Sequence, residues 1–179
     1  MKKLLLTLLS LTLTVNAYAA YPNKTNFEFY YNGNLVETTG KFYITEIVID
    51  HRKDTYQRNM KTPVDTFRNV FTALKLRDRK WLYRHTKGTE TTIRKNTEEI
   101  FKTFEQGLFH MHGYAKYHNY TIVLLNQKDL KKKVIFPLEK DQYGNYFISA
   151  NFKYLHPRQY EIMSKAYKGE GELKIVKNK

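Results

Sequence analysis

The sequence predicts an α+β fold in which helices precede a meander of antiparallel strands and a β-hairpin extends the N-terminal side. Three observations predict it. Thr62-Pro63-Val64-Asp65 is a helix start, with a capping hydroxyl, Pro at the first position and an early acid, and apolar residues at helical spacing follow it. From Phe109 to Phe152, β-prone runs alternate with short turn signals. "FEFYYNGNLVE" places Asn32-Gly33, a dipeptide suited to positive φ, between two β-prone arms.

The first nineteen residues stand apart from that fold. Lys2 and Lys3 precede an apolar run from Leu4 to Val15, broken only by Thr and Ser. Ala17-Tyr18-Ala19 then offers small residues at the two positions a signal peptidase reads. The run is short for a bilayer span, so the pattern predicts a cleaved signal peptide and not an anchor. Cleavage after Ala19 places the protein in the periplasm or outside the cell, as a bacterial envelope protein. No Cys follows the run, which excludes a lipoprotein anchor, and with no Cys at all the chain must hold together by packing. Nineteen residues removed from 179 leave 160, the size of one domain. The expected division is a signal peptide over 1–19, a β extension over 20–61, an α+β core over 62–155, and a C-terminal helix and basic tail over 156–179.

Taken in order, the hairpin is followed by a third strand, "KFYITEIVID", with Phe42, Ile44, Ile47 and Ile49 spread over both faces. The polar "HRKDTYQRNMK" reads as a loop. The first helix buries Phe67, Val70, Phe71 and Leu74, and Leu76-Arg77-Asp78-Arg79 breaks it. "RKWLYRHT" is a second, short helix with Trp81, Leu82 and Tyr83 as inward candidates. A third runs from Glu90 to Leu108, with Ile93, Ile100, Phe101, Phe104 and Leu108 as its stripe. "FHMHGYAKYH", "YTIVLLNQ", "KKVIFPLEK" and "NYFISANF" are the strands of the meander. "YTIVLLN" is apolar on both faces and belongs at the centre of the sheet. Pro137 belongs at an edge or a bulge, because it cannot donate to a ladder. "PRQYEIMSKAY" reads as a final helix and "ELKIV" as a last strand.

This order, with the stretch "TPVDTFRNVFTALKLRDRKWLYRHT", resembles the nuclear-transport-factor-2-like superfamily. Pro63, Phe67, Val70, Phe71, Ala73, Leu74, Asp78 and Leu82 occupy the positions of that superfamily's opening pattern. In "VIFPLEKDQYGNYFIS", Gly144 and Tyr146 take the places of the glycine and aromatic of its final hairpin. The resemblance spans about residues 62–152. It implies a cystatin-like cone, a curved antiparallel sheet closed at one end by helices around a pocket. Isomerases and dehydratases of the superfamily use Asp, His or Tyr in that pocket; other members bind small ligands or dock proteins. No catalytic residue carries over position by position.

The chemistry-bearing residues are sparse. His110, His112 and His118 occupy even positions with Tyr114, Lys116 and Tyr120, so a regular strand would present all six on one face. His110 and His112 would lie about 7 Å apart, within reach of one metal ion, but His118 would be roughly 20 Å from His110. A third ligand would have to come from elsewhere, with His85, Asp78 or Glu105 as candidates. The spacing therefore reads as a polar sheet face, with His110 and His112 the only metal candidates and no metal or cofactor assigned. There is no Cys nucleophile, no G-x-S-x-G and no H-E-x-x-H, so no catalytic residue is assigned. Glu98 and Glu99 read as a solvated helix face, and Asp78-Arg79-Lys80 as a helix-terminus device.

Charge carries the functional expectation. Thirty-one Lys and Arg against 17 Asp and Glu give +14, and +12 once Lys2 and Lys3 are removed. A balance of this kind attracts polyanions. Export sets cytoplasmic nucleic acid aside and leaves an envelope protein or an anionic envelope polymer as partner. The densest basic pieces are Lys131-Lys132-Lys133 and the tail "KGEGELKIVKNK". Lys131, Lys132 and Lys133, with Tyr114, Lys116 and Tyr120, are the expected binding residues. The function expected is a non-enzymatic binding or accessory protein for an acidic partner. The alternatives are a pocket enzyme of the isomerase or dehydratase type and an immunity-type inhibitor of an exported toxin. A small apolar ligand in the cone and a homodimer are compatible with this reading; an integral membrane protein is not.

Overall fold

In the computed structural model, which describes residues 25–49, 59–104, 109–127 and 130–177, Asn32 and Gly33 turn the chain between its first two strands with φ of 48° and 71°. These are β1 (Thr25–Tyr31) and β2 (Asn34–Ile49), which pair antiparallel from Tyr31↔Asn34 to Thr25↔Gly40. The elements after them are α1 (Pro63–Lys75), α2 (Arg79–Arg84), β3 (Thr86–Lys87), α3 (Glu90–Phe104) and β4 (Phe109–Tyr117). Then come β5 (Tyr120–Gln127), β6 (Lys132–Lys140), β7 (Tyr146–Ser149), α4 (Phe152–Leu155), α5 (Pro157–Lys168) and β8 (Glu172–Lys177). The signal peptide expected over 1–19, residues 51–58 of the loop expected over 51–61 and residues 105–108 of the expected third helix lie outside the described residues, as do the side chains of Ile44, Ile47 and Ile49.

The strands form one eight-stranded sheet in the order β3-β7-β6-β5-β4-β2-β1-β8. It is mixed, because β3 runs parallel to β7, and it is not closed: β3 and β8 are its edges. The two expected strands "NLVE" and "KFYITEIVID" are a single sixteen-residue strand, β2. Gly40 lets it continue, since a Cβ there would lie 1.9 Å from the carbonyl oxygen of Tyr114 on β4. The last strand of the meander is shorter than expected. It stops at Ser149, and Phe152, fully buried, starts α4.

Helix starts follow the local chemistry. Thr62 Oγ1 accepts the N–H of Asp65 at 3.1 Å and donates to its carboxylate at 2.7 Å, capping α1. Asp78 caps α2 by accepting the N–H of Trp81 at 2.9 Å, the helix-terminus role expected of it. Leu82 is buried, Trp81 is half-buried and stacked on His85, and Tyr83 is exposed.

Both faces of the sheet are covered. On one, Phe67, Val70, Phe71 and Leu74 of α1, Leu82 of α2, and Ile100 and Phe104 of α3 pack on Met111, Val123, Leu125, Phe136 and Leu138. On the other, Ile162, Met163, Ala166 and Tyr167 of α5 and Phe152 of α4 pack on Phe27, Phe29, Ala115, Ile122, Leu124 and Ile135. The alternation along β5, with Ile122 and Leu124 on one face and Val123 and Leu125 on the other, explains why its sequence is apolar throughout.

The single polar face expected of residues 110–120 does not form. The register of β4 slips against β5 between Met111 and Gly113, and against β2 over the same step, opposite Phe42 and Ile47. A bulge at His112 reverses the faces of everything after it. Before it, Phe109 and Met111 face the α1–α3 layer, so His110 and His112 turn toward α5. After it, Tyr114 packs against the α1–α3 core and Ala115 against the α5 core. His118 is not on the strand at all; it occupies the β4–β5 turn with φ of 49°.

Candidate binding cleft

A concavity between the two helical layers lies beside β6. This strand pairs with β5 from Lys132 to Glu139, but with β7 only from Leu138 to Lys140. Because β7 ends at Ser149 and the chain leaves the sheet, the β7 side of Lys132–Pro137 has no neighbouring strand among the described residues. Pro137, expected at an edge, is the last residue of this open stretch. The helical layers continue past the gap. Asn96, Glu99, Ile100, Thr103 and Phe104 of α3 form one wall; Tyr160, Ser164 and Lys168 of α5, with Lys153 of α4, form the other. The result is a cleft of ≈ 540 Å³, within the usual range for ligand sites.

Its floor is apolar and its rim is basic. Val134, Ile135, Phe136, Pro137 and Ile148 line the bottom, and Leu130, 61 % exposed, lies among the lining residues. Lys131, Lys132, Lys133, Lys153 and Lys168 line it against one carboxylate, Glu99. Strand alternation sends Lys132 and Lys133 to opposite walls. Lys132 Nζ donates to the carbonyl oxygen of Thr103 on α3 at 3.3 Å, and Lys133 Nζ lies 5.7 Å from the ring centre of Tyr167 on α5. Lys153 donates to Glu99 at 2.7 Å across the cleft. Burial alone would lower the Lys153 pKa, but the hydrogen bond and charge of Glu99 more than offset it and the net shift is upward. Burial raises the Tyr160 hydroxyl, Glu99 adds to the rise and Lys153 opposes it, so Tyr160 stays neutral at neutral pH.

Two polar atoms in the cleft are buried without a hydrogen-bond partner, Asn96 Nδ2 and Ser149 Oγ. Orphaned buried polar groups cost about 1–3 kcal/mol each.

The other expected binding residues are dispersed. Tyr114 is beneath α1, Lys116 is exposed beside Glu28 and Glu37 in a shallow groove between strands, and Tyr120 packs on Phe152 and His156 near α4. The structure brings together Lys131, Lys132 and Lys133 but not that second trio. His112 Nδ1 is 3.0 Å from the Tyr167 hydroxyl, and no three His, Cys, Asp or Glu converge among the described residues. Lys168 opens the basic tail that the sequence singled out, whereas Lys153, Asn96 and Ser149 were not signalled, since each comes from a different element and only the short β7 brings them together.

A second polar feature is a tyrosine cluster under α1. Burial, with Tyr114 and Tyr146 nearby, pushes the Tyr43 hydroxyl far up, and burial followed by Tyr146 raises Tyr114. Burial and the neighbouring hydroxyls hold Tyr43 and Tyr114 neutral.

No family model, curated protein or solved structure matches the chain. The cleft must therefore be read from its own chemistry. Among the described residues no helix is long and apolar enough to cross a membrane.

Proposed function

We propose that the chain is an exported, non-enzymatic binding protein of the bacterial envelope that holds an acidic partner in the cleft between α3, β6 and α5. One observation carries this reading: five lysines surround an apolar floor, opposed by a single carboxylate that Lys153 already pairs. Such a rim steers anions in and fixes them by charge, while the apolar floor supplies contact area. The signal pattern at Lys2-Lys3 and Ala17-Tyr18-Ala19 supports export. The succession of α1–α3 before β4–β7 supports a nuclear-transport-factor-2-like cone, with β1 and β2 as its N-terminal hairpin extension.

Titration with poly-glutamate tests the binding. Affinity should fall steeply between low salt and about 0.15 M, where screening acts within about 8 Å. Lys131→Gln, Lys132→Gln and Lys133→Gln together should weaken it at least about tenfold, mainly in the association rate, at little cost in stability. His110→Ala with His112→Ala should leave it nearly intact. The opposite outcome, with histidines required and lysines dispensable, would move the site to the α5 side of β4 and reopen pocket chemistry. Intact mass of the protein from an envelope fraction should correspond to a chain starting at Ala20; a full-length mass there would overturn export.

A further inference from the structure

The cleft has the shape of a missing strand. Every second residue of Lys132–Phe136 directs its N–H and C=O away from β5, into the space that a longer β7 would fill. Lysines and a proline also blunt exposed sheet edges against aggregation, and Lys132, Lys133 and Pro137 could serve that end alone. The position of this edge argues for more. It is not the rim of the sheet, since β7 and β3 continue beyond it. It lies between two helices, with apolar residues at its base and lysines along its rim. A globular anion would use the lysines and leave the strand edge unpaired. An extended polypeptide uses both.

We propose that the acidic partner enters as an extended peptide that adds a strand to the open edge of β6 at Lys132–Pro137, in line with β7. The open stretch of six residues spans about 20 Å, so five to seven peptide residues would pair, roughly. Its main chain supplies the pairing groups. Acidic side chains on one face of the added strand meet Lys133 and Lys168 on the α5 wall, and apolar ones on its other face cover Val134 and Phe136 on the α3 wall. This rests on the reading of the cleft as the binding site, and the test separates the two.

Three labelled probes are titrated against the full-length mature protein by fluorescence anisotropy. One is a peptide of alternating Glu and Val, about eight residues long; the second is the same peptide with all its amides N-methylated; the third is inorganic polyphosphate. Hydrogen exchange of the amides of Lys132–Phe136 is followed in parallel. Strand addition requires that the plain peptide bind, that N-methylation weaken it at least about tenfold, and that the plain peptide slow exchange of these amides. Lys133→Glu with Lys168→Glu, both exposed positions outside the cores, should abolish its binding. Equal binding of plain and methylated peptides overturns strand addition and leaves the basic cleft standing. Binding of polyphosphate without the peptide does the same and favours a polyanion. Failure of all three probes overturns both readings.

Discussion

At the level of single residues, glycines and one histidine decide how β4 meets its neighbours. Gly40 and Gly113 face each other's strands at distances that exclude a side chain: a Cβ on Gly40 would lie 1.9 Å from Tyr114 O, and one on Gly113 would lie 2.2 Å from Lys41 O. Gly113 also has φ of 157°, outside the range other residues favour. Because the obstruction at Gly40 is backbone, the strands themselves would have to part. Gly40→Ala should therefore cost about 1–3 kcal/mol or more in chemical denaturation, as overpacking does. An unchanged midpoint would mean that β2 and β4 do not approach as described. The bulge at His112 was not legible in the sequence. "FHMHGYAKYH" alternates without interruption, and Gly113 is the one hint that pairing slips there. One extra residue was enough to send Tyr114 to the opposite face from His112.

Among the elements, those with strong local signals are the ones the sequence foretold. The cap at Thr62, the proline at α1's first position and the stripe of Phe67, Val70, Phe71 and Leu74 are local, and all appear in the structure. Phe71 lies tilted against Phe67 and Phe109 and meets Phe104 edge-on, joining α1 to α3 and β4. Phe71→Ala should cost about 3–5 kcal/mol, whereas Thr62→Ala, which removes one exposed cap bond, should cost about 1 kcal/mol. Equal losses for the two would contradict the burial of this face. The two-residue β3 carries no periodicity and was not legible. Nor was the end of β7, because "NYFISANF" remains β-prone through Phe152. Its termination is a tertiary effect: Phe152 is worth more in the core against Tyr120 and Tyr160 than it would be as a strand residue beside β6. That choice opens the cleft, so the lysines were visible in the sequence while the space they surround was not.

For the molecule as a whole, the two titrating populations pull stability in opposite directions at high pH. Burial raises Tyr43, Tyr114 and Tyr160 above the ordinary value of 10.0 in the folded protein. Below pH 10 both folded and unfolded chains keep these protons, and the full stability is present. As pH rises beyond 10 the unfolded chain releases them first, so the folded state is progressively disfavoured until its own tyrosines ionise. In the same window the lysines of a chain carrying +14 lose charge, which relieves self-repulsion and favours the compact state. A single stability curve would mix the two effects, but a comparison at equal pH cancels the lysine contribution. Tyr43 is the most strongly shifted of the three and is chosen for that reason. Tyr43→Phe keeps the ring and its packing, so stability at pH 7 should change by less than about 1 kcal/mol. Between pH 9 and 12 the variant should lose less stability than the parent, and the gap should widen with pH. Parallel decline of the two proteins in urea denaturation across that range would mean the Tyr43 hydroxyl is solvated and its ionisation is unopposed by the fold.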